Sequence, residues 1–167
     1  MKLRFPESEI KAIAERYSYG LDDVELMKLK PLVQRCGYLD KEQLLEVAKW
    51  KSTRSAGHVE ENEADFIKEV TSWAFKTRNE RARVESLTIL DGVGWPTATV
   101  ILHFFHRDPY PILDYRALSS LGLNEPNQYS FSFWWTYVLY CRELANRSGV
   151  DMRTLDKALW QFSKENS

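Results

Sequence analysis

A chain of 167 residues, 44% of them hydrophobic, can bury the core of one compact domain or of two small lobes sharing a core. Its formal net charge of −1 and pI near 6.3 exclude a general electrostatic attraction for nucleic acid, so any such binding must be local. The longest apolar run, Phe131 to Cys141, is too short to cross a bilayer, and Cys36 and Cys141 lack the spacing of a disulfide framework, a zinc site or an iron–sulfur cluster.

Apolar residues recur at three- and four-residue spacing and alternating runs are scarce, so the expected fold is all-α. The opening "MKLRFPESEI" lacks the apolar middle of a secretory signal, which leads to the expectation of a cytoplasmic protein. Pro6 suits the first turn of a helix through about Tyr17, with Gly20 as its stop. Asp22 then starts a short helix that Pro31 interrupts or kinks, and Gly37 breaks the chain. Asp40 and Gln43 have the spacing of a capping box for a helix through Trp50 that buries Leu44, Leu45, Val47 and Ala48. "KSTRSAGHVEEN" reads as a polar loop. The next amphipathic segment, Asn62 to Lys76, is expected to bury Phe66, Ile67, Val70, Trp73 and Ala74. Asn79 can cap a helix through Ile89, and another runs from Thr97 to Phe105.

Beyond the proline-containing loop "HRDPYP", a short helix is expected from Tyr115 to Leu121, followed by the loop "NEPNQ". Ser130 to Arg147, closed by Gly149, and Arg153 to Lys164, capped by Asp151, complete the chain. No repeat or low-complexity linker marks a boundary; the expected lobes are about 22–122 and about 1–21 plus 123–167, the first holding a hairpin at 81–105. Basic residues cluster at Lys49, Lys51 and Arg54 and again at Lys76, Arg78, Arg81 and Arg83, either as solvated helix faces or as local anion contacts. His103 and His106 lack a third ligand pattern and read as surface or core histidines.

The stretch "LDGVGWPTATVIL" supplies the most specific pattern. Gly92 and Gly94 allow a tight turn with positive φ and close backbone approach, and Val93 between them can anchor the turn in the core. The helix after the turn begins with backbone N–H groups that have no helical partner and with the positive end of its dipole, aided by the Thr97 hydroxyl: a seat for a phosphate. Pro96 near the first turn sacrifices only an N–H without a helical partner. Taken alone, a GxG between helices reads as a plain helix–helix turn rather than as a phosphate site.

Together with the downstream "YPILDYRAL", the pattern resembles the helix–hairpin–helix DNA glycosylase superfamily, through Leu90, Gly92, Val93, Gly94, Thr97, Ala98, Pro111, Ile112 and Asp114. The resemblance covers residues 81 to 121. "WKSTR" at 50–54 and "LDKALWQFSKE" at 155–165 look similar to parts of a bacterial branch of that superfamily. Pro96 stands where bifunctional members carry a Schiff-base lysine, so the resemblance implies hydrolysis by water without a lyase step. Asp91 replaces the usual proline, the four-cysteine motif is absent, and "DYR" departs from the commoner triplets after the aspartate.

What the resemblance implies is a small monofunctional base-excision glycosylase acting on DNA, with Asp114 as the catalytic carboxylate and a compact helical fold of two lobes. Gly92, Val93, Gly94, Thr97, Arg116, Lys51 and Arg54 are then the candidate DNA contacts. Trp50, Tyr110, Tyr115 and Trp160 are candidates for a pocket around a flipped base, with a place in the core as the competing reading of each. The backbone carbonyls of Thr88, Leu90 and Val93 are the implied seat of a monovalent cation; no other cofactor, no zinc and no iron–sulfur cluster are expected. No membrane partner is expected, and a monomer is. Asp114 equally reads as the N-cap of the helix beginning at Tyr115, and Arg116 as the partner of an acid rather than of DNA. Two rival readings stay open: a non-catalytic DNA-binding module that keeps the hairpin, and a helical interaction protein in which the hairpin is scaffold.

Overall fold

The computed structural model describes residues 1–19 and 23–167, apart from the side chain of Ser55. Among these residues the chain is all-helical, with no strand and no helix long and apolar enough to cross a membrane. It divides into two compact units: a terminal unit, Met1–Gly20 with Pro109–Ser167, and an inner unit, Leu21–Asp108. The expected lobe boundary near 122 therefore moves to 108, because the helix after Asp114 packs within the terminal unit. The proposed stop at Gly20 and start at Asp22 lie outside the described residues.

In the inner unit, α2 (Val24–Cys36) runs through Pro31 without a break. Leu26 and Val33, seven apart, are buried at 1% exposure while Pro31 faces outward, so the ring and the missing N–H fall on the solvent side. Gly37, with φ of 78°, closes the helix. α3 (Lys41–Lys51) starts on the expected capping box: the Gln43 amide donates to Asp40 Oδ1 at 2.8 Å and the Asp40 amide to Gln43 Oε1 at 2.9 Å. The expected polar loop is largely a short helix, α4 (Thr53–Val59), set off by an extended Ser52. It packs on α3 and buries Val59, a single apolar anchor too sparse to show a period.

α5 (Ala64–Lys76) buries Ile67, Val70, Thr71 and Ala74, a strict i, i+3, i+4, i+7 face. Phe66 and Trp73 flank that face and are exposed at 41% and 50%, contrary to expectation. α6 (Glu80–Leu87) is capped by Asn79, which accepts from the Ala82 amide at 2.9 Å. α7 (Trp95–Phe105) is the most deeply buried helix of this unit and packs against α2, α3 and α6.

In the terminal unit a 3-10 turn, Glu7–Glu9, leads into α1 (Ile10–Glu15). This helix packs along α10 (Met152–Glu165), whose Asp151 cap accepts from the Thr154 amide at 2.7 Å. α8 (Tyr115–Ser120) also lies on α10, and the first residues are tied to its end: the Lys2 and Arg4 amides each donate at 3.0 Å, to the Leu121 and Ser120 carbonyls. α9 (Phe131–Arg147) begins at Ser130, which caps the Phe133 amide, and supplies Trp134, Tyr137, Val138, Cys141 and Leu144 to the core.

Candidate functional site

Pro111, Ile112 and Leu113 form a buried, non-helical segment that delivers Asp114 to the start of α8. A buried backbone without a helix or sheet must find other partners. Here two side chains of the terminal unit provide them. The Ile112 amide donates to Asp156 Oδ1 at 3.0 Å, and the Tyr137 hydroxyl donates to the Ile112 carbonyl at 2.9 Å. Asp156 is itself buried at 6% exposure and its other oxygen accepts from Arg153 at 2.6 Å, so its charge is matched. Burial drives the Tyr137 phenol well above its ordinary pKa, with the charges of Asp156 and Asp114 adding to the effect. Burial thus favours the protonated phenol, the form that donates.

Asp114 has extended backbone and caps α8, its Oδ1 accepting from the Arg116 amide at 2.9 Å. Asp114 is half-buried, and in the same unit a cluster of aromatic rings and cations gathers around Arg116 and Trp160. The Arg116 guanidinium lies 5.1 Å from the Tyr115 ring centre and 5.5 Å from that of Trp160, and it donates to the Ser167 hydroxyl. Trp160 meets Tyr17 and Tyr19 edge-on at 5.3 and 5.4 Å. Arg153 and Lys157 stand over Tyr17, and Lys164 over Trp160. Burial first, and then the Asp114 charge, raises the Tyr19 phenol above its usual pKa, while Arg153 opposes the shift.

Asp114, Tyr115, Arg116 and Trp160 are thus brought together, and Tyr115 is exposed at 53%. Tyr110 is not part of this group. It is fully buried, stacked on Trp134 at 5.8 Å with the Arg142 guanidinium 4.6 Å from its ring centre, and packs the core rather than lining an opening. Trp50, in the inner unit, likewise packs edge-on against Phe104 at 5.3 Å, at 7% exposure. Lys51 ends α3 half-buried, and Arg54 is exposed on α4.

The glycine turn lies between α6 and α7 of the inner unit. Gly92 has φ of 77°, which glycine adopts without strain. Gly94 does not share it: its φ of −83° and ψ of 177° are open to any residue, and it serves as the N-cap of α7. A Cβ on Gly94 would meet only Pro96 Cδ at 3.8 Å, so neither conformation nor packing requires glycine there. α7 begins at Trp95, two residues before the expected Thr97, and Thr97 is buried at 4% exposure instead of standing at the helix tip. Val93 is buried as expected, and its amide donates to the Leu90 carbonyl at 3.0 Å. A clasp invisible in the motif holds the turn: Asn62 accepts from the Asp91 amide and donates to the Asp91 carbonyl, both at 2.9 Å.

The second basic cluster separates. Arg83 is buried at 4% exposure, where it donates to the carbonyls of Ala74 and Thr77 at 2.7 and 2.6 Å, to Glu80 at 3.2 Å and to His106 Nε2 at 2.7 Å. His106, a core histidine, is held below its ordinary pKa by burial and then by the Arg83 charge. Lys76, Arg78 and Arg81 are exposed, with Arg81 paired to Glu85. Asp156, Tyr137, Tyr17, Tyr19 and Asn62 have roles that sequence reasoning missed, and Arg83, expected on a solvated face or at an anion, lies in the core instead. Only Arg83 carried a signal, as a charge between Ala82 and the buried Val84. No family model, curated protein or solved structure matches the chain.

Proposed function

We propose that the protein belongs with the helix–hairpin–helix DNA glycosylases and hydrolyses the N-glycosidic bond of a base drawn out of duplex DNA. The observation that carries the proposal is the placing of Asp114: a half-buried carboxylate at the end of a segment fastened at Ile112, through its N–H to Asp156 and through its carbonyl to Tyr137, and followed directly by exposed Tyr115. Cleavage breaks the bond from the sugar C1′ to the base nitrogen, and positive charge builds on the sugar. A carboxylate held in place stabilises that charge and accepts a proton from the attacking water, whose oxygen bonds to C1′; the departing base nitrogen takes up one proton from solvent and the carboxylic acid returns one to solvent, which restores the carboxylate. A fixed anion is worth more than a mobile one, because no reorganisation is needed as the charge develops. Pro96 provides no amine, which restricts the reaction to hydrolysis.

In this reading the amides at the start of α7 seat a DNA phosphate, with Gly92, Val93, Gly94 and Thr97 shaping the turn and Lys51 and Arg54 adding charge in the inner unit, while Arg116 contacts DNA from the terminal unit. Gly94 then has a reason that conformation does not give: a side chain there stands where the phosphate approaches. A monovalent cation on the carbonyls of Thr88, Leu90 and Val93 would strengthen the turn's pull on a phosphate. The Leu90 carbonyl already accepts the Val93 amide, leaving its second lone pair for an ion.

The Asp114 capping bond favours a second reading, in which the carboxylate only starts α8 and the protein binds DNA without cleaving it. Incubation with duplexes carrying damaged, mismatched or modified bases, followed by alkali cleavage, separates the two. Strand breaks at one class of base support the enzyme; an uncut panel, with salt-dependent binding that Gly94→Leu abolishes, leaves the binding module.

A further inference from the structure

We propose that the inner unit carries a binding cavity for a small organic anion, a ring joined to a phosphate in the manner of a nucleoside monophosphate. The cavity has a volume of about 460 Å³, within the range of small-molecule sites. Its apolar wall is Val33, Phe75 and Phe105, suited to a flat ring, and every charged lining residue is basic: Arg35, Lys76 and Arg107. Among the described residues none of the three is ion-paired, and Lys76 donates only to the Ser72 hydroxyl. His106 closes the inner side, with the Arg83 guanidinium 2.7 Å behind it.

The alternative account of these cations is that they neutralise helix ends. α2, α5 and α7 all finish at this cavity, at Cys36, Lys76 and Phe105. A helix C-terminus carries about half a negative charge, so three supply about −1.5 against the three basic side chains. Asp108, 3.7 Å from His106, adds one negative charge, and Glu80 is matched by Arg83; a surplus of about half a positive charge remains, which favours an anion. An apolar wall adds selectivity that bare phosphate cannot use. The site is independent of the glycosylase reading, since no residue assigned to catalysis or DNA contact lines it.

Cys36, exposed at the rim, provides the readout, because Cys141 is buried. The rate of Cys36 alkylation by uncharged N-ethylmaleimide is measured on the full chain while 2′-deoxyadenosine 5′-monophosphate, deoxyadenosine, inorganic phosphate or a 20-mer duplex is titrated in. The nucleotide is expected to slow alkylation at least fivefold with saturation below millimolar concentration, deoxyadenosine and phosphate being at least tenfold weaker. Arg35→Glu and Arg107→Glu, both at exposed positions, should each weaken the nucleotide effect about tenfold while the melting temperature holds. Lack of saturable protection by the nucleotide, protection unchanged in both variants, or protection by duplex at far lower concentration than by nucleotide overturns the proposal; the last identifies a DNA surface instead.

Discussion

Replacing Asp156 with alanine should loosen the segment that presents Asp114, and the size of the effect follows from its contacts. Two bonds are lost: the acceptor for the buried Ile112 amide at 3.0 Å, and the partner of Arg153 at 2.6 Å. A hydrogen bond to a charged group contributes about 1.5–3 kcal/mol, and a buried N–H left without an acceptor costs about as much. The stranded Arg153 side chain, 19% exposed, recovers part of its solvation, so the total is set at about 3 kcal/mol. For a chain of this size that corresponds to about 6–12 °C in melting temperature. Asp156→Asn keeps an oxygen for the Ile112 amide and loses the bond from Arg153, toward which it turns an NH2 group, so it should cost about half as much. Urea unfolding gives the free energies, and hydrogen exchange at the Ile112 amide gives the local readout. If Asp156→Ala changes stability by less than about 0.5 kcal/mol, as a surface substitution does, or leaves the Ile112 amide as protected as before, the fastening described here is wrong.

The two glycines of the turn should respond oppositely. Gly92→Ala forces a left-handed φ of 77° on a residue with a Cβ and should cost about 1–2 kcal/mol in urea unfolding. Gly94→Ala should be nearly silent for stability and should weaken DNA binding in a gel shift if the α7 amides seat a phosphate. His106 makes stability pH-dependent: its folded pKa is depressed, so below its ordinary value of about 6.5 the unfolded chain takes up a proton that the folded chain refuses. Stability conferred by the neutral ring is present above that pH and is lost as pH falls through the folded value. His106→Gln should flatten this part of the urea-midpoint profile between pH 7 and 5, with Arg83, Glu80, Arg107 and Asp108 left in place around the site. On α5, Ile67→Ala should cost about 2–5 kcal/mol, whereas Trp73→Ser, at an exposed position, should stay within about 0.5 kcal/mol; equal costs would contradict the assigned helix face.

Features governed by neighbours in sequence were legible. Asp40 with Gln43, Asn79, Ser130 and Asp151 start their helices as their spacing implies, because a cap needs only the next three residues. Asp114 does the same, which is why capping and catalysis were both readable there. α4 was hidden because Val59 alone anchors it, and a helix with one buried apolar residue leaves no period. Phe66 and Trp73 misled for the opposite reason: beside a face already filled by Ile67, Val70 and Ala74 they look continuous with it.

The clasps that hold the site join residues far apart in the chain, so no window contains both members. Asn62 and Asp91 are 29 positions apart, Arg83 and His106 are 23, and Ile112 lies 25 from Tyr137 and 44 from Asp156. Asp156 also lies within a helical pattern where a carboxylate predicts solvent. Only the presence of the Ile112 amide, a donor buried without a helix, explains why it is inside.

The role of Asp114 is tested most directly by Asp114→Asn. Asparagine caps a helix about as well as aspartate, so the substitution removes the negative charge and leaves the start of α8 intact. If the proposed hydrolysis occurs, single-turnover cleavage of the modified duplex that the parent protein cuts should slow by about 10²-fold or more, with DNA affinity and melting temperature unchanged. A variant that cleaves as fast as the parent would contradict the account and leave Asp114 as a helix cap alone.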